Sequence, residues 1–227
     1  MAFPGLADRV ADVRARIDAA AARGGHGQRV TIVAVTKTHG TDAARAAYEA
    51  GLHDVGENKV QEALKKMGEV DVPVRWHLIG HLQRNKVKAL EQFVLLHSLD
   101  SARLADAVCA FGLARGRAVD ALIELNVSGE KSKGGFTLSE LLPEAERLVS
   151  LAGIRVRGVM TMASFTASES ELHRTFAEAR DARQALVEAG HPAEELSMGM
   201  SNDYEIAVEE GATMVRLGTT LFGARAK

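Results

Sequence analysis

The sequence is poor in the residue types that mark several protein classes. Its 227 residues include one cysteine, four prolines and 4% aromatic residues. The single cysteine, Cys109, excludes a disulfide framework and a cysteine-ligated metal cluster, which suits a reducing compartment. Basic side chains number 28 and acidic ones 30, so no positive excess favours nucleic acid or an anionic membrane.

Long apolar runs are also lacking. None reaches the roughly 18 residues that a membrane helix requires, and charged residues interrupt the amino-terminal segment where a signal peptide would be apolar. We therefore expect a cytoplasmic protein that binds neither nucleic acid nor membrane.

The chain instead alternates short apolar runs with longer amphipathic stretches. Leu6, Val10, Val13 and Ile17 form the stripe of a leading amphipathic helix. After it come eight strand-like runs. They are Val30 to Val35, His53 to Val55, Val74 to Ile79, Phe93 to Leu96, Ala121 to Val127, Ile154 to Met160, Leu196 to Met200 and Met214 to Leu217.

This alternation predicts an α/β fold, a single (β/α)8 TIM barrel over residues 1–227 with an extra amino-terminal helix. The alternative is a doubly wound sheet, but no glycine-rich dinucleotide fingerprint follows the first strand and no Walker A motif occurs. Two helix starts carry capping-box pairs, Asn58 with Gln61 and Asn202 with Glu205.

Lys37 closes the first apolar strand, at the edge where barrels carry their active sites. Partial desolvation there lowers the pKa of a lysine and favours a free amine that can form a Schiff base with an aldehyde. Taken alone, the residue also suits a solvated lysine just beyond a strand.

The last two strands lead into small-residue turns. Ser201 lies at the predicted start of a helix, and Gly218 and Thr219 follow the eighth strand, so both turns offer donors to a phosphate. Arg216 lies inside that strand and requires an acceptor if it is buried. A lysine, an anion site and an arginine at one barrel mouth suit pyridoxal phosphate.

Several ordered motifs carry a family resemblance. They are Val33-Ala-Val-Thr-Lys37, Gly56-Glu-Asn58, Trp76-His-Leu-Ile-Gly-His-Leu-Gln-Arg-Asn-Lys86, Asn126 through Ser132-Lys-Gly134, Gly158-Val-Met-Thr161, Met198-Gly-Met-Ser-Asn-Asp-Tyr204 and Val215-Arg-Leu-Gly-Thr-Thr-Leu-Phe-Gly223. Over nearly its whole length the chain resembles the pyridoxal phosphate homeostasis protein (YggS/PROSC) family, which is related by fold to the amino-terminal barrel of alanine racemase.

The resemblance implies the cofactor-binding residues. Lys37 would carry pyridoxal 5'-phosphate as an internal aldimine, and Arg216 would donate to the ring nitrogen. The phosphate would be held by Ser201, Gly218 and Thr219. Asn58 would lie near the polar edge of the ring, with Met160 and Met200 packed around it. No catalytic residue and no metal is implied.

The resemblance also implies a role in cofactor homeostasis. The protein would buffer or deliver pyridoxal phosphate inside the cell, as a monomer, without strong turnover, and recipients would be apo-enzymes that depend on the cofactor. The alternatives are a racemase-like enzyme, which needs an acid or base opposite Lys37, and a Schiff-base aldolase. Tyr204 or a histidine is the available candidate for that acid or base, whereas Tyr48 belongs to a helix and is interpreted as packing.

Two further features have weaker interpretations. His77 and His81 are four residues apart, but a glycine intervenes and the first lies in a strand, which argues against a zinc site. The sequence around Lys133 predicts a flexible basic loop, either a solvated turn or a contact to incoming cofactor or a partner protein.

Overall fold

The structure is a computed structural model that describes residues 3–127 and 134–223. Eight parallel strands form a closed barrel in chain order, with β8 paired to β1. The strands are β1 Thr31–Val35, β2 Asp54–Glu57, β3 Arg75–Leu78, β4 Leu95–Leu99, β5 Val119–Leu125, β6 Ile154–Thr161, β7 Glu195–Ser197 and β8 Met214–Leu217. The predicted (β/α)8 barrel is therefore confirmed.

Helices alternate with the strands around the outside. They are α1 Leu6–Gly24, α2 Thr41–Glu49, α3 Val60–Met67, α4 Ala102–Ala114, α5 Leu138–Val149, α6 Glu169–Glu188, α7 Tyr204–Glu209 and α8 Thr219–Phe222, with a 3-10 helix at Arg84–Gln92 between β3 and β4. Among the described residues, no helix combines the length and the apolar character needed to cross a membrane.

Helix α1 is the extra helix expected before the first strand. Its stripe of Leu6, Val10, Val13 and Ile17 is buried, as predicted, and it packs against α7 and α8. Burial of such a stripe removes apolar surface from water and holds the helix in place.

The apolar core has two parts. The larger lies between strands and helices. The smaller fills the barrel interior and consists of Val33, Leu95, Leu122, Met160 and Met214. Because side chains plug the interior, the barrel is not a pore, and ligands are confined to the loops at the carboxyl ends of the strands.

Both capping-box predictions are wrong. Helix α3 begins at Val60, with Lys59 at the N-cap and no side-chain cap, and Asn58 precedes it. Helix α7 begins at Tyr204 and likewise lacks a side-chain cap. Instead of capping α7, Glu205 pairs with Arg16 of α1. At α7 a tertiary ion pair has thus replaced the local bond.

Candidate functional site

A cavity of about 690 Å³ opens at the carboxyl ends of the strands. All but one of the predicted site residues line it: Lys37, Asn58, Met200, Ser201, Arg216, Gly218 and Thr219. The exception is Met160, which is buried in the barrel interior with the smaller apolar cluster. Residues far apart in sequence are thus brought to one mouth by the strand order.

Strand register places Lys37 between two of these partners. Val35 of β1 is paired with Gly56 of β2, so Lys37 and Asn58 follow their strands at equivalent positions. On the other side, Ala34 is paired with Leu217 of β8, which is followed by Gly218. Neighbouring strands are about 4.8 Å apart, so Asn58, Lys37 and Gly218 form one continuous segment of the rim. Lys37 is half-buried there.

The turn that carries Lys37 is held from below by a buried ion cluster. Lys66 Nζ donates to the Thr36 carbonyl at 2.8 Å, to Glu57 at 2.7 Å and to Glu62 at 2.9 Å. The Thr36 hydroxyl donates to Glu57 at 2.5 Å. Burial raises the pKa of Glu57, while its bonds to Lys66 and Thr36 act in the opposite direction.

The residue after Lys37 has an unusual backbone. Thr38 has φ of 67°, a left-handed conformation that is strained for a β-branched residue. Its amide donates to Glu62 at 2.6 Å, and the His39 amide closes the turn on the Thr36 carbonyl at 3.1 Å. The surrounding bonds therefore hold a turn that would not form by local preference alone.

Arg216 forms part of the cavity floor and is 5% exposed. Its Nη1 donates to the Ser197 carbonyl at 2.7 Å and to the Ser197 hydroxyl at 2.6 Å, and Nη2 donates to the Thr161 carbonyl at 2.9 Å. Burial lowers the pKa of Arg216 to about 10, so it remains a cation at neutral pH. Within residues 3–127 and 134–223, three of its five N–H groups have acceptors, which leaves Nε–H and one Nη2–H.

The turns after β7 and β8 are joined to each other. The Thr220 amide donates to the Ser201 hydroxyl at 3.3 Å. Ser201 lies in a turn three residues before α7, not at the start of that helix as predicted. Gly199 allows this turn, since its φ is 91° and a Cβ there would lie 2.7 Å from the Ala207 Cβ.

Carboxylates in the cavity lining were not foreseen from the sequence. Asp100, Glu124 and Asp203 line it together with Arg216. Burial raises the pKa of Glu124 and of Asp203, whereas the positive charge of Arg216 lowers both. Glu124 lies between Ile123 and Leu125 at the carboxyl end of β5, and a carboxylate at that end of an apolar barrel strand was the available signal for a side chain at the mouth.

Tyr204, the candidate acid or base for a racemase-like enzyme, does not line the cavity. It is 3% exposed in the apolar core outside the barrel. Its hydroxyl is buried with no hydrogen-bond partner among the described residues, and Arg16 of α1 lies 5.8 Å from its ring centre. Tyr48 packs edge-on against His53, as interpreted.

The remaining polar candidates are also placed. His77 bonds to Asp54 and to His97 inside the barrel, whereas His81 bonds to Asp100 at 2.7 Å in the cavity lining, so the two histidines do not converge. Lys133 lies outside the described residues. Cys109 is buried and unpaired in α4.

Comparison with known proteins gives the family. The family model for the alanine racemase N-terminal domain matches residues 9–226. A relative from Pseudomonas aeruginosa, named pyridoxal phosphate homeostasis protein, is 41% identical over 97% of this chain and 96% of its own. The chain belongs to the pyridoxal phosphate homeostasis protein family. A family member of the same name from Aquifex aeolicus is 40% identical over 96% of this chain and 97% of its own.

A solved structure shows the same architecture within this family. PipY of Synechococcus elongatus, described with pyridoxal phosphate bound, has a TM-score of 0.84 at 35% identity, over 96% of this chain and 100% of PipY. The expected family resemblance is therefore confirmed across nearly the whole chain.

Proposed function

We propose that this protein binds pyridoxal 5'-phosphate through Lys37 as a Schiff base and acts in cytoplasmic cofactor homeostasis without strong catalytic turnover. One observation carries the proposal: an amine, a buried guanidinium and two donor-rich turns line a single cavity. The relatives named as homeostasis proteins and PipY with its bound cofactor support it.

The turns after β7 and β8 fit a phosphate. Among the described residues, the amides of Gly218 and Thr219 have no hydrogen-bond acceptor, and such amides bind anions. Packing does not require glycine at 218, since a Cβ there would lie 3.6 Å from the Val35 Cβ. The glycine instead leaves this backbone open to the cavity, beside the Ser201 hydroxyl.

Arg216 fits the ring nitrogen of the cofactor. It keeps its positive charge in a buried setting and has donors left for an acceptor in the cavity. A cationic donor favours an unprotonated ring nitrogen, which makes the ring a weaker electron sink. This arrangement suits holding the cofactor better than carbanion chemistry.

Bound pyridoxal phosphate supplies an aldehyde; addition of the Lys37 amine to it releases one water, and hydrolysis reverses the step. Reversibility suits a protein that buffers the cofactor and delivers it to apo-enzymes, and we propose that it does so as a monomer.

The racemase alternative requires an acid or base opposite Lys37. The described cavity lining contains no tyrosine, so the titratable groups to consider for that role include His39, His81 and Glu124.

The proposal is tested by borohydride reduction of the protein loaded with pyridoxal phosphate, followed by peptide mass spectrometry. We expect one reduced adduct, on Lys37. Lys37→Ala should lose the adduct, while Lys65→Ala, a change at an exposed lysine of α3, should keep it. An adduct that persists at another lysine in Lys37→Ala would contradict the assignment. Delivery is tested by mixing the loaded protein with an apo-enzyme that depends on pyridoxal phosphate and measuring whether that enzyme becomes active.

A further inference from the structure

A chain of hydrogen bonds crosses the barrel interior from the cavity floor to the opposite rim. Arg216 Nη1 donates to Ser197 Oγ at 2.6 Å, and Ser197 Oγ is 2.9 Å from His97 Nδ1. His97 Nε2 is 2.9 Å from His77 Nδ1, and His77 Nε2 is 2.9 Å from Asp54 Oδ1. The members belong to β8, β7, β4, β3 and β2, and all are buried.

The far end of this chain is an ion pair at the amino-terminal edge of the barrel. Arg75 Nε donates to Asp54 Oδ1 at 2.7 Å and Arg75 Nη2 to Asp54 Oδ2 at 2.5 Å. Burial alone would raise the pKa of Asp54, but bonds from His77 and Arg75 outweigh it and hold that pKa below its usual range. Asp54 is therefore a carboxylate, which only accepts hydrogen bonds.

With one proton on each histidine, the two ends set the direction of every hydrogen bond between them. Asp54 only accepts, so the His77 proton is on Nε2 and His77 Nδ1 is an acceptor. His97 Nε2 must then donate to it, which leaves His97 Nδ1 as an acceptor. Arg216 only donates, so the Ser197 hydroxyl accepts from it and donates its own proton to His97.

This order of protons matters at Arg216. In the other neutral tautomer of His97, Nδ1–H would point at Ser197 Oγ, which already accepts from Arg216. The Ser197 proton would then lack its acceptor in a site that is 0% exposed, and a buried unmatched donor is costly. Burial and the positive charge of Arg216 also lower the pKa of His97, which keeps it neutral.

We propose that His77 and His97 are positioning residues of the cofactor site, because they hold Ser197 as an acceptor for Arg216 and so fix the guanidinium at the ring-nitrogen end of the cavity. This inference rests on the proposed function, since it assigns Arg216 to a bound cofactor. The proton order itself is a property of the protein without ligand.

The first measurement uses protein labelled with ¹⁵N in its histidines. Two-bond proton–nitrogen correlation spectra separate the two neutral tautomers and the imidazolium. We expect His97 to be neutral at pH 7 with its proton on Nε2, and His77 to carry its proton on Nε2. A proton on Nδ1 of His97, or an imidazolium at His77, would overturn the proposed order.

The second measurement compares the affinity for pyridoxal phosphate and the visible spectrum of the bound cofactor. Ser197→Ala removes one oxygen, while Arg216 retains the carbonyls of Ser197 and Thr161. We expect affinity to fall about tenfold, the loss of one charge-assisted bond, with a shifted spectrum. Ser197→Thr keeps a hydroxyl and should restore both.

The matched control is His191→Leu. His191 is also a buried histidine, but its Nε2 bonds to the Ala145 carbonyl at 2.8 Å, and it does not line the cavity. This variant should lose stability while its cofactor spectrum stays unchanged. If Ser197→Ala keeps the spectrum and affinity of wild type, while wild type still forms the Lys37 adduct, the inference is refuted and the proposed function is not. Absence of that adduct in wild type would refute the proposed function, and the inference with it.

Discussion

His97 makes a quantitative prediction about stability and pH. It is 0% exposed, and its pKa is lowered well below the ordinary value, chiefly by burial and also by the positive charge of Arg216. The folded protein therefore leaves this imidazole neutral at pH values where the unfolded chain protonates it, below about 6.5. Stability due to His97 is present above that pH and is lost as the pH falls towards the folded-state pKa.

The size of the effect follows from proton linkage. One group that binds a proton only in the unfolded state removes up to about 1.4 kcal/mol per pH unit, which gives about 2 kcal/mol between pH 7 and pH 5. This is a large share of the roughly 5 to 15 kcal/mol that stabilises a typical domain. Asp54 also has a lowered pKa, but carboxylates in the unfolded chain titrate near pH 4, below this window.

The assay is urea unfolding of wild type and His97→Gln at a series of pH values. The single tryptophan, Trp76 of β3, is 9% exposed and provides the fluorescence signal. We expect the variant to be less stable at pH 7 by about 1 to 3 kcal/mol, and to lose about 2 kcal/mol less between pH 7 and pH 5. If the free energies of unfolding of the two proteins fell equally between pH 7 and pH 5, the argument would be refuted, because His97 would then have the same pKa in the folded and unfolded states.

Two further predictions concern stability elsewhere in the site. Lys66→Met should destabilise the protein by about 3 to 5 kcal/mol, because it leaves Glu57 buried without its cation; Lys65→Met, at an exposed neighbour, should change urea stability by less than about 0.5 kcal/mol. Gly199→Ala should lower the melting temperature more than Gly190→Ala, since both have positive φ but only at 199 would a Cβ collide with neighbours; equal losses would contradict the packing argument.

The fold could be predicted because its signals are local. Each strand of the barrel is a short apolar run bounded by turn residues, so all eight were found, the eighth with its exact bounds and the other seven with one or both ends shifted. The mouth could be predicted for a related reason. Lys37, Asn58 and Gly218 each lie within two residues of the end of a strand, and a closed parallel barrel brings all such positions together.

Features set by tertiary contacts could not be predicted in this way. The capping pairs at Asn58 and Asn202 satisfied the sequence rule, yet Asn58 lines the cavity and Glu205 binds Arg16 of another helix. The position of Tyr204 depends on how the Gly199 turn directs α7 towards α1. A local pattern cannot decide between partners that are distant in sequence.

The fourth strand shows that tertiary contacts also limit what can be predicted within a single strand. The predicted fourth strand ended at Leu96, before a histidine and a serine. The strand continues to Leu99, and His97 faces inward to reach Ser197 of β7. Both faces of such a strand are buried, so a polar residue within it must find a buried partner. A polar residue between apolar ones in a barrel strand is thus better interpreted as part of an interior network than as the end of the strand.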